Sequence, residues 1–310
     1  MAFEVRGEVA EIWKRSRDYA AESREPPTGR RDGFVYGLVQ PFLGVRLLLR
    51  HRELLRDSLI PVAWVTLLCL VWAWFDSHTW REGFRNLYLS FAALASLPTI
   101  LFPRHYARIA AAAHERLGFG PCAPKLLGLS RAVREFFQQL VLVWLVSAPL
   151  LFALGFLPSI ISRVAAALVG LAWQLHWSVV TVLGEARVLE QGETLAEADA
   201  KDRSARAAWF VRALDRVARA IPILKGGLLW FARWCDRLSL PMREELAVAE
   251  AHPAIAGGFA VSSALLLALP GVNLFLRPVT LMAASHVLGQ LDRVAAAHVE
   301  PNIVDALRVP

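Results

Sequence analysis

Between Ala254 and Leu291 there is a single formally charged side chain, Arg277. A guanidinium offers a fixed fork of N–H donors that can replace the hydration shell of a small anion. Held among apolar neighbours it is costly, and it must pair, reach water or contact a solute. Asn273 stands one helical turn earlier, just after Pro270-Gly271, where a broken helix frees backbone groups for an ion. Arg52 and Arg56, also one turn apart, precede the first strongly apolar run. Arg52, Arg56, Asn273 and Arg277 are therefore the candidate anion contacts, and Pro270, Gly271 and Pro278 are read as structural residues of a broken hairpin. Each has a plainer reading beside it. Asn273 can cap the turn, Arg277 can extend its stem toward an interface, and Arg52 and Arg56 can serve only to fix orientation in a bilayer.

Other chemistry finds no support in residue type and spacing. His176, with Gln174 and Trp177, has the composition of a proton relay, and also that of a histidine hydrogen-bonded to a neighbouring helix. The remaining histidines (His51, His78, His105, His114, His252, His286, His298) have no metal-ligand spacing. Cys69, Cys122 and Cys235 are isolated, which argues against a disulfide framework or a zinc site. No nucleophile elbow, zinc-protease, phosphate-loop or dinucleotide motif occurs. The expectation is a protein that is not an enzyme and holds no cofactor and no metal.

The elements that must position these residues are mostly apolar. The chain has 310 residues, 56% of them hydrophobic, and a mean hydropathy of +0.42. Uncharged runs at Leu59–Phe75, Leu87–Phe102, Leu140–Leu157 and Val164–Leu183 approach the roughly 20 helical residues that a bilayer requires. Trp64, Trp72 and Trp74 near the ends of the first read as interfacial anchors, and Arg163 as an anchor of the fourth. Gly33–Val45, interrupted by Gly37, Pro41 and Gly44, is too short to cross, and residues 46–57 read as a helix lying at the interface. Gly33 and Gly37 have the small-xxx-small spacing of a packing face. The final apolar region, Ala254–Leu291, is interrupted at Pro270-Gly271 and again at Arg277-Pro278, and reads as a helical hairpin. The fold class expected is all-α: a polytopic helical membrane protein with about four to six membrane segments, a Pro/Gly-broken C-terminal hairpin and interfacial amphipathic helices.

Polar segments complete the organisation. Residues 1–32 read as a mobile charged arm without the apolar core of a cleaved signal peptide. Residues 33–291 form one membrane domain that carries a polar insertion at 184–253, and 292–310 form a tail. Inside the insertion Phe210, Leu214, Val217 and Ile221 fall on one helix face, with Arg212, Arg216 and Arg219 opposite. That pattern suits a membrane surface or a soluble helix packed on its neighbours. Eleven Lys and Arg precede Leu59, six lie in 103–138 and eleven in 184–253, against two in 76–86. By the positive-inside rule both termini and the insertion face the cytoplasm. The net charge of +7 follows the same distribution, so the partner implied is a lipid bilayer and no nucleic acid.

The stretch Leu269-Pro270-Gly271-Val272-Asn273-Leu274-Phe275-Leu276-Arg277-Pro278-Val279 resembles a signature of the CysZ-type sulfate permeases and the related etoposide-induced membrane protein family. Gly258-Phe259 before it, Gly33-Phe34-Val35-Tyr36-Gly37, Leu59-Ile60-Pro61 and Phe156-Leu157-Pro158-Ser159-Ile160 resemble further family elements, in order, over residues 33–190 and 250–291. The resemblance implies hairpins that penetrate without crossing, a homo-oligomer, and a small inorganic anion as solute in the bacterial inner membrane. In the permease branch Gly-Leu-Arg precedes the first span. Here the matching residues are Glu53-Leu54-Leu55, followed by Arg56, so the family carries over and sulfate as the substrate does not.

Overall fold

The computed structural model describes residues 25–75, 82–83, 85–86, 101–154, 159–267 and 272–306. The chain is mostly helical, as expected. Its long helices are α1 (Arg30–Arg50), α2 (Arg52–Phe75), α3 (Pro103–Arg116), α4 (Leu129–Leu154) and α5 (Ser159–Ala186). The shorter α6 (Leu195–Ser204), α7 (Trp209–Ala220), α8 (Lys225–Ser239) and α9 (Arg243–Ala251) follow, and then α10 (Pro253–Leu267) and α11 (Val272–Ala306). A two-stranded antiparallel ribbon, absent from the sequence reading, joins β1 (Cys122–Pro124) to β2 (Val188–Glu190) with Ala123 opposite Leu189.

Among the described residues, three helices are long and apolar enough to cross a membrane: Arg30–Arg50, Arg52–Phe75 and Ile160–Ala186. The last two contain the expected first and fourth spans. Residues 140–154 of the expected third span lie in α4. Residues 87–100 of the second, the turn at Pro158, and the hairpin residues Pro270 and Gly271 lie outside the described residues.

Several boundaries are corrected. Residues 33–45 and 46–57 are not a short piece followed by an interfacial helix: α1 runs unbroken through Pro41 to Arg50, and α2 begins at Arg52 after a break at His51. Tertiary packing overrides the local helix breakers here. A Cβ at Gly37 would overlap the carbonyl oxygen of Ile255, and one at Gly258 would overlap that of Phe34, so α1 and α10 meet backbone to backbone. At Gly33 a Cβ would touch Ala254 Cβ at 3.4 Å, which makes the Gly33/Gly37 spacing a real packing face. Gly44 lies equally close to the carbonyl of Val279 on α11.

The second correction concerns the C-terminal region. No break occurs at Arg277-Pro278, and α11 continues from Val272 to Ala306, through most of the residues read as a tail. Every residue from Val279 to Leu291 is buried, so this stretch is enclosed on all its faces and packing holds the proline within it. Among the described residues α10 has 15, fewer than a bilayer crossing requires. The insertion starts inside α5, which ends at Ala186.

Two cores result. In the first, Leu43 and Leu47 of α1, Ile109 and Ala113 of α3, Val182 and Leu183 of α5 and Leu281 to Ala284 of α11 pack together. The second joins Leu142 of α4 and Trp177 of α5 to Phe210 of α7, Cys235 of α8 and Leu246 of α9.

Candidate functional site

Between these cores lies a cavity of about 670 Å³. Its long walls are α4 and α5, which turn Gln139, Val143, Trp144 and Ser147 toward Trp173, Gln174, Trp177 and Thr181. Tyr106 of α3, Glu245 of α9 and Arg277 of α11 close the remaining sides. The wall is largely aromatic and aliphatic with a few polar groups, the usual make-up of a small-molecule site.

Its electrostatics centre on Arg277. The guanidinium meets the Glu185 carboxylate in a two-pronged contact, Nε donating to Oε2 at 3.1 Å and Nη2 donating to Oε1. Both side chains are more than four-fifths buried, in an environment where such a pair is strong and either partner alone is destabilising. Tyr106 senses both charges, although burial is the main cause that pushes its phenol above the ordinary value. Its hydroxyl makes no hydrogen bond among the described residues. Across the cavity Gln139 donates to Thr181, whose hydroxyl donates to the Trp177 carbonyl at 2.8 Å, so α4 and α5 are cross-linked within the wall. Charges around the lining balance: Lys125, Arg187 and Arg277 against Glu135, Glu185 and Glu245.

One end of the cavity rests on a bed of ion pairs. Arg131 binds Glu135 at 2.7 Å and Asp199 at 2.5 Å, Arg187 pairs with Glu244, and Lys125 stands 3.6 Å from Asp202. Burial and the neighbouring Glu245 hold the Asp202 carboxyl up at about 6, against the pull of Lys125 and Arg187.

The four candidate anion contacts do not converge. Arg277 lines the cavity, already held by Glu185. Asn273 lies in the first turn of α11, one turn before Arg277, which accords with the expected spacing. Arg52 and Arg56 sit in the first turns of α2, exposed to solvent and outside the cavity wall, with Arg56 Nε 3.5 Å from Asp57. Pro278 is buried inside α11 and marks no break. His176 stacks on Trp173 at 6.0 Å, and its Nε2 makes no hydrogen bond among the described residues; the bond to α4 comes instead from Trp173, whose indole N–H donates to the Val143 carbonyl at 3.3 Å. Arg163 is exposed, as an anchor would be.

The sequence reading missed Glu185, Tyr106, Gln139 and Thr181. Glu185 carried a signal: it is the first carboxylate after the apolar run 164–183. Its partner, 92 positions away, is fixed only by the fold. No groups of three or more potential metal ligands occur among the described residues. Comparison of the chain with family models, curated proteins and solved structures finds no match to any of them.

Proposed function

We propose that this protein is a polytopic membrane protein that binds, and passes across the bilayer, a small solute of the inorganic-anion class. The observation that carries the reading is the Arg277–Glu185 pair in the wall of a 670 Å³ cavity bounded by α5, a helix able to cross a membrane. The bilayer part rests on exposed apolar faces: Trp64, Leu67, Trp72, Trp74 and Phe75 of α2, Trp144 of α4, and Ile160, Val164 and Leu168 of α5. Faces of that extent mark a lipid or protein contact. The resemblance to CysZ-type permeases and the Lys/Arg distribution support the bacterial inner membrane, cytoplasmic termini and a homo-oligomer.

In this reading Glu185 is the resident counter-ion of Arg277. An incoming anion competes with the carboxylate for the same N–H donors, so it binds only as Glu185 withdraws. Glu185→Gln, which keeps the shape and removes the charge, leaves Arg277 open to the anion, whereas Arg277→Gln removes the contact. Uptake of sulfate, sulfite, phosphate and chloride into proteoliposomes tests this. The expected result is tighter anion binding in Glu185→Gln and loss of uptake in Arg277→Gln. Uptake of none of the four above empty vesicles would sink the reading.

A second reading, a membrane-shaping scaffold that moves no solute, is favoured by the apolar residues that the insertion 184–253 leaves exposed. Deleting residues 200–250 separates the two, since flux survives in a transporter core and a scaffold loses its effect on the membrane.

A further inference from the structure

The hairpin of α7 and α8 ends in a surface that neither the cavity nor the cores explain. Its root is well fixed. Phe210 and Val211 are buried, Arg212 pairs with Glu250, and the Trp209 backbone N–H donates to the same carboxylate at 2.6 Å. Phe210 also meets the Trp173 and Trp177 rings of α5. Beyond Ala218 this packing stops. At the turn Ile221 is 41% exposed, Ile223 95% and Leu224 53%, with Pro222 opening a 3₁₀ turn over Pro222–Leu224. On the return helix Trp230 and Trp234 are 59% and 45% exposed and stack 5.7 Å apart, one helical turn from each other.

Cations rim this apolar tip. Arg216, Arg219, Lys225, Arg233 and Arg237 are all exposed, while residues 209–239 contain two acids, Asp215 and Asp236. Asp215 pairs with Arg219, and Asp236 is drawn back to Arg243 at 2.5 Å. A second copy placed tip to tip would bring the uncompensated cations Arg216, Lys225 and Arg233 against their own copies. Anionic lipid headgroups complement the rim, tryptophan suits headgroup depth, and aliphatic side chains suit the acyl region below.

We propose that the α7–α8 hairpin is a bilayer-inserting element: Ile221, Ile223 and Leu224 enter the acyl region, Trp230 and Trp234 sit at headgroup level, and the rim cations bind anionic headgroups. Placement agrees, because the root packs on α4 and on α5, a helix long and apolar enough to cross a bilayer. The assignment goes beyond both functional readings and needs only a bilayer, whether or not the cavity passes a solute.

The test is a fluorophore on Ile223→Cys in the full-length chain, in a Cys122→Ser background because Cys69 and Cys235 are buried. Ser204→Cys at the exposed end of α6 is the solvent reference. The protein is reconstituted in phosphatidylcholine vesicles with or without phosphatidylglycerol. The expected result is several-fold stronger quenching at position 223 by spin-labelled acyl chains than at 204, and protection from aqueous iodide. Both effects should grow with phosphatidylglycerol and shrink when Arg216, Lys225 and Arg233 are changed to Gln. Equal iodide quenching at 223 and 204 overturns the proposal. Protection from both quenchers overturns it too, in favour of a second copy, when the unlabelled Ile223→Cys protein treated with copper phenanthroline as oxidant forms disulfide-linked dimers. Extraction by alkaline carbonate, scored on the same vesicles, reports separately on whether the chain spans the membrane.

Discussion

Arg277 of α11 binds both carboxylate oxygens of Glu185, the residue that closes the apolar run of α5. This one contact ties the C-terminal helix to a helix long and apolar enough to span a bilayer, and it places a donor of the cavity wall under the control of an acid. Whatever the solute, Arg277 cannot serve it and an ionised Glu185 fully at the same time.

Coupling within that pair is measurable apart from transport. Arg277→Ala and Glu185→Ala should each lower stability by on the order of 2 kcal/mol, since each strands a mostly buried charge. The double variant should cost clearly less than the sum of the two, because it strands neither. Thermal unfolding of the purified protein in detergent across the four-membered cycle gives the coupling directly. Additive losses would mean that the pair is not energetically linked.

The glycines of α1 and α10 yield a sharper stability test. At Gly37 and Gly258 a methyl group would collide with a helix backbone, which cannot yield as a side chain can. Gly37→Ala or Gly258→Ala should therefore destabilise by about 3 kcal/mol or more through overpacking. Gly227 is helical too, in α8, but has open space around it. Gly227→Ala should gain about 0.5–1 kcal/mol from the reduced freedom of the unfolded chain. Equal effects at the three sites would show that α1 and α10 do not make this close approach.

Asp202 sets a pH dependence whose sign follows from its burial. Its carboxyl is raised from 3.8 to about 6 in the fold, so between those values the folded state holds a proton that the unfolded chain has released. The Asp202 contribution to stability is thus fully present below about pH 4 and is lost as pH rises through about 6. Asp202→Asn should remove that decline, which is read as the difference between the two pH–stability profiles from pH 4 to 8. A stability gain of Asp202→Asn over wild type that grows toward acid, instead of as pH rises through about 6, would reverse the assignment.

The parts of the fold legible in the sequence are those that local pattern determines. Uncharged runs gave the apolar helices, and the Lys and Arg clusters marked the polar segments between them. The unbroken course of α1 through Pro41 and of α11 through Pro278 was not legible, because proline and glycine speak locally for a break and only contacts with α10 and with each other hold these helices intact. The site divides the same way. Arg277 stood out as the lone charge in its run, whereas Tyr106, Gln139 and Glu185 belong to three different helices, and periodicity carries no information about which faces meet. Arg52 and Arg56 had the right chemistry and the wrong location.

His286, one of the histidines without a metal constellation, is fully buried in a polar cluster that joins α1 to α11. Its Nδ1 lies 2.7 Å from Gln40 Oε1, its Nε2 lies 3.4 Å from Gln290 Nε2, and Gln40 Nε2 donates to the Tyr36 carbonyl at 3.2 Å. Gln40 follows Gly37 by three positions on α1, so the network lies beside the close glycine contacts. Polar groups enclosed in an apolar core restrict how two helices can slide, since each alternative register leaves donors unsatisfied. Gln40→Leu keeps the approximate volume and removes the Gln40–His286 bond, with an expected cost of about 1–3 kcal/mol. Gln40→Glu keeps an acceptor for Nδ1 and should recover part of that loss. Hydrogen exchange on α1 and α11 reads the effect locally: protection should drop in both helices for Gln40→Leu. A drop confined to α1 would show that His286 is held without Gln40, and that glycine packing alone sets the register.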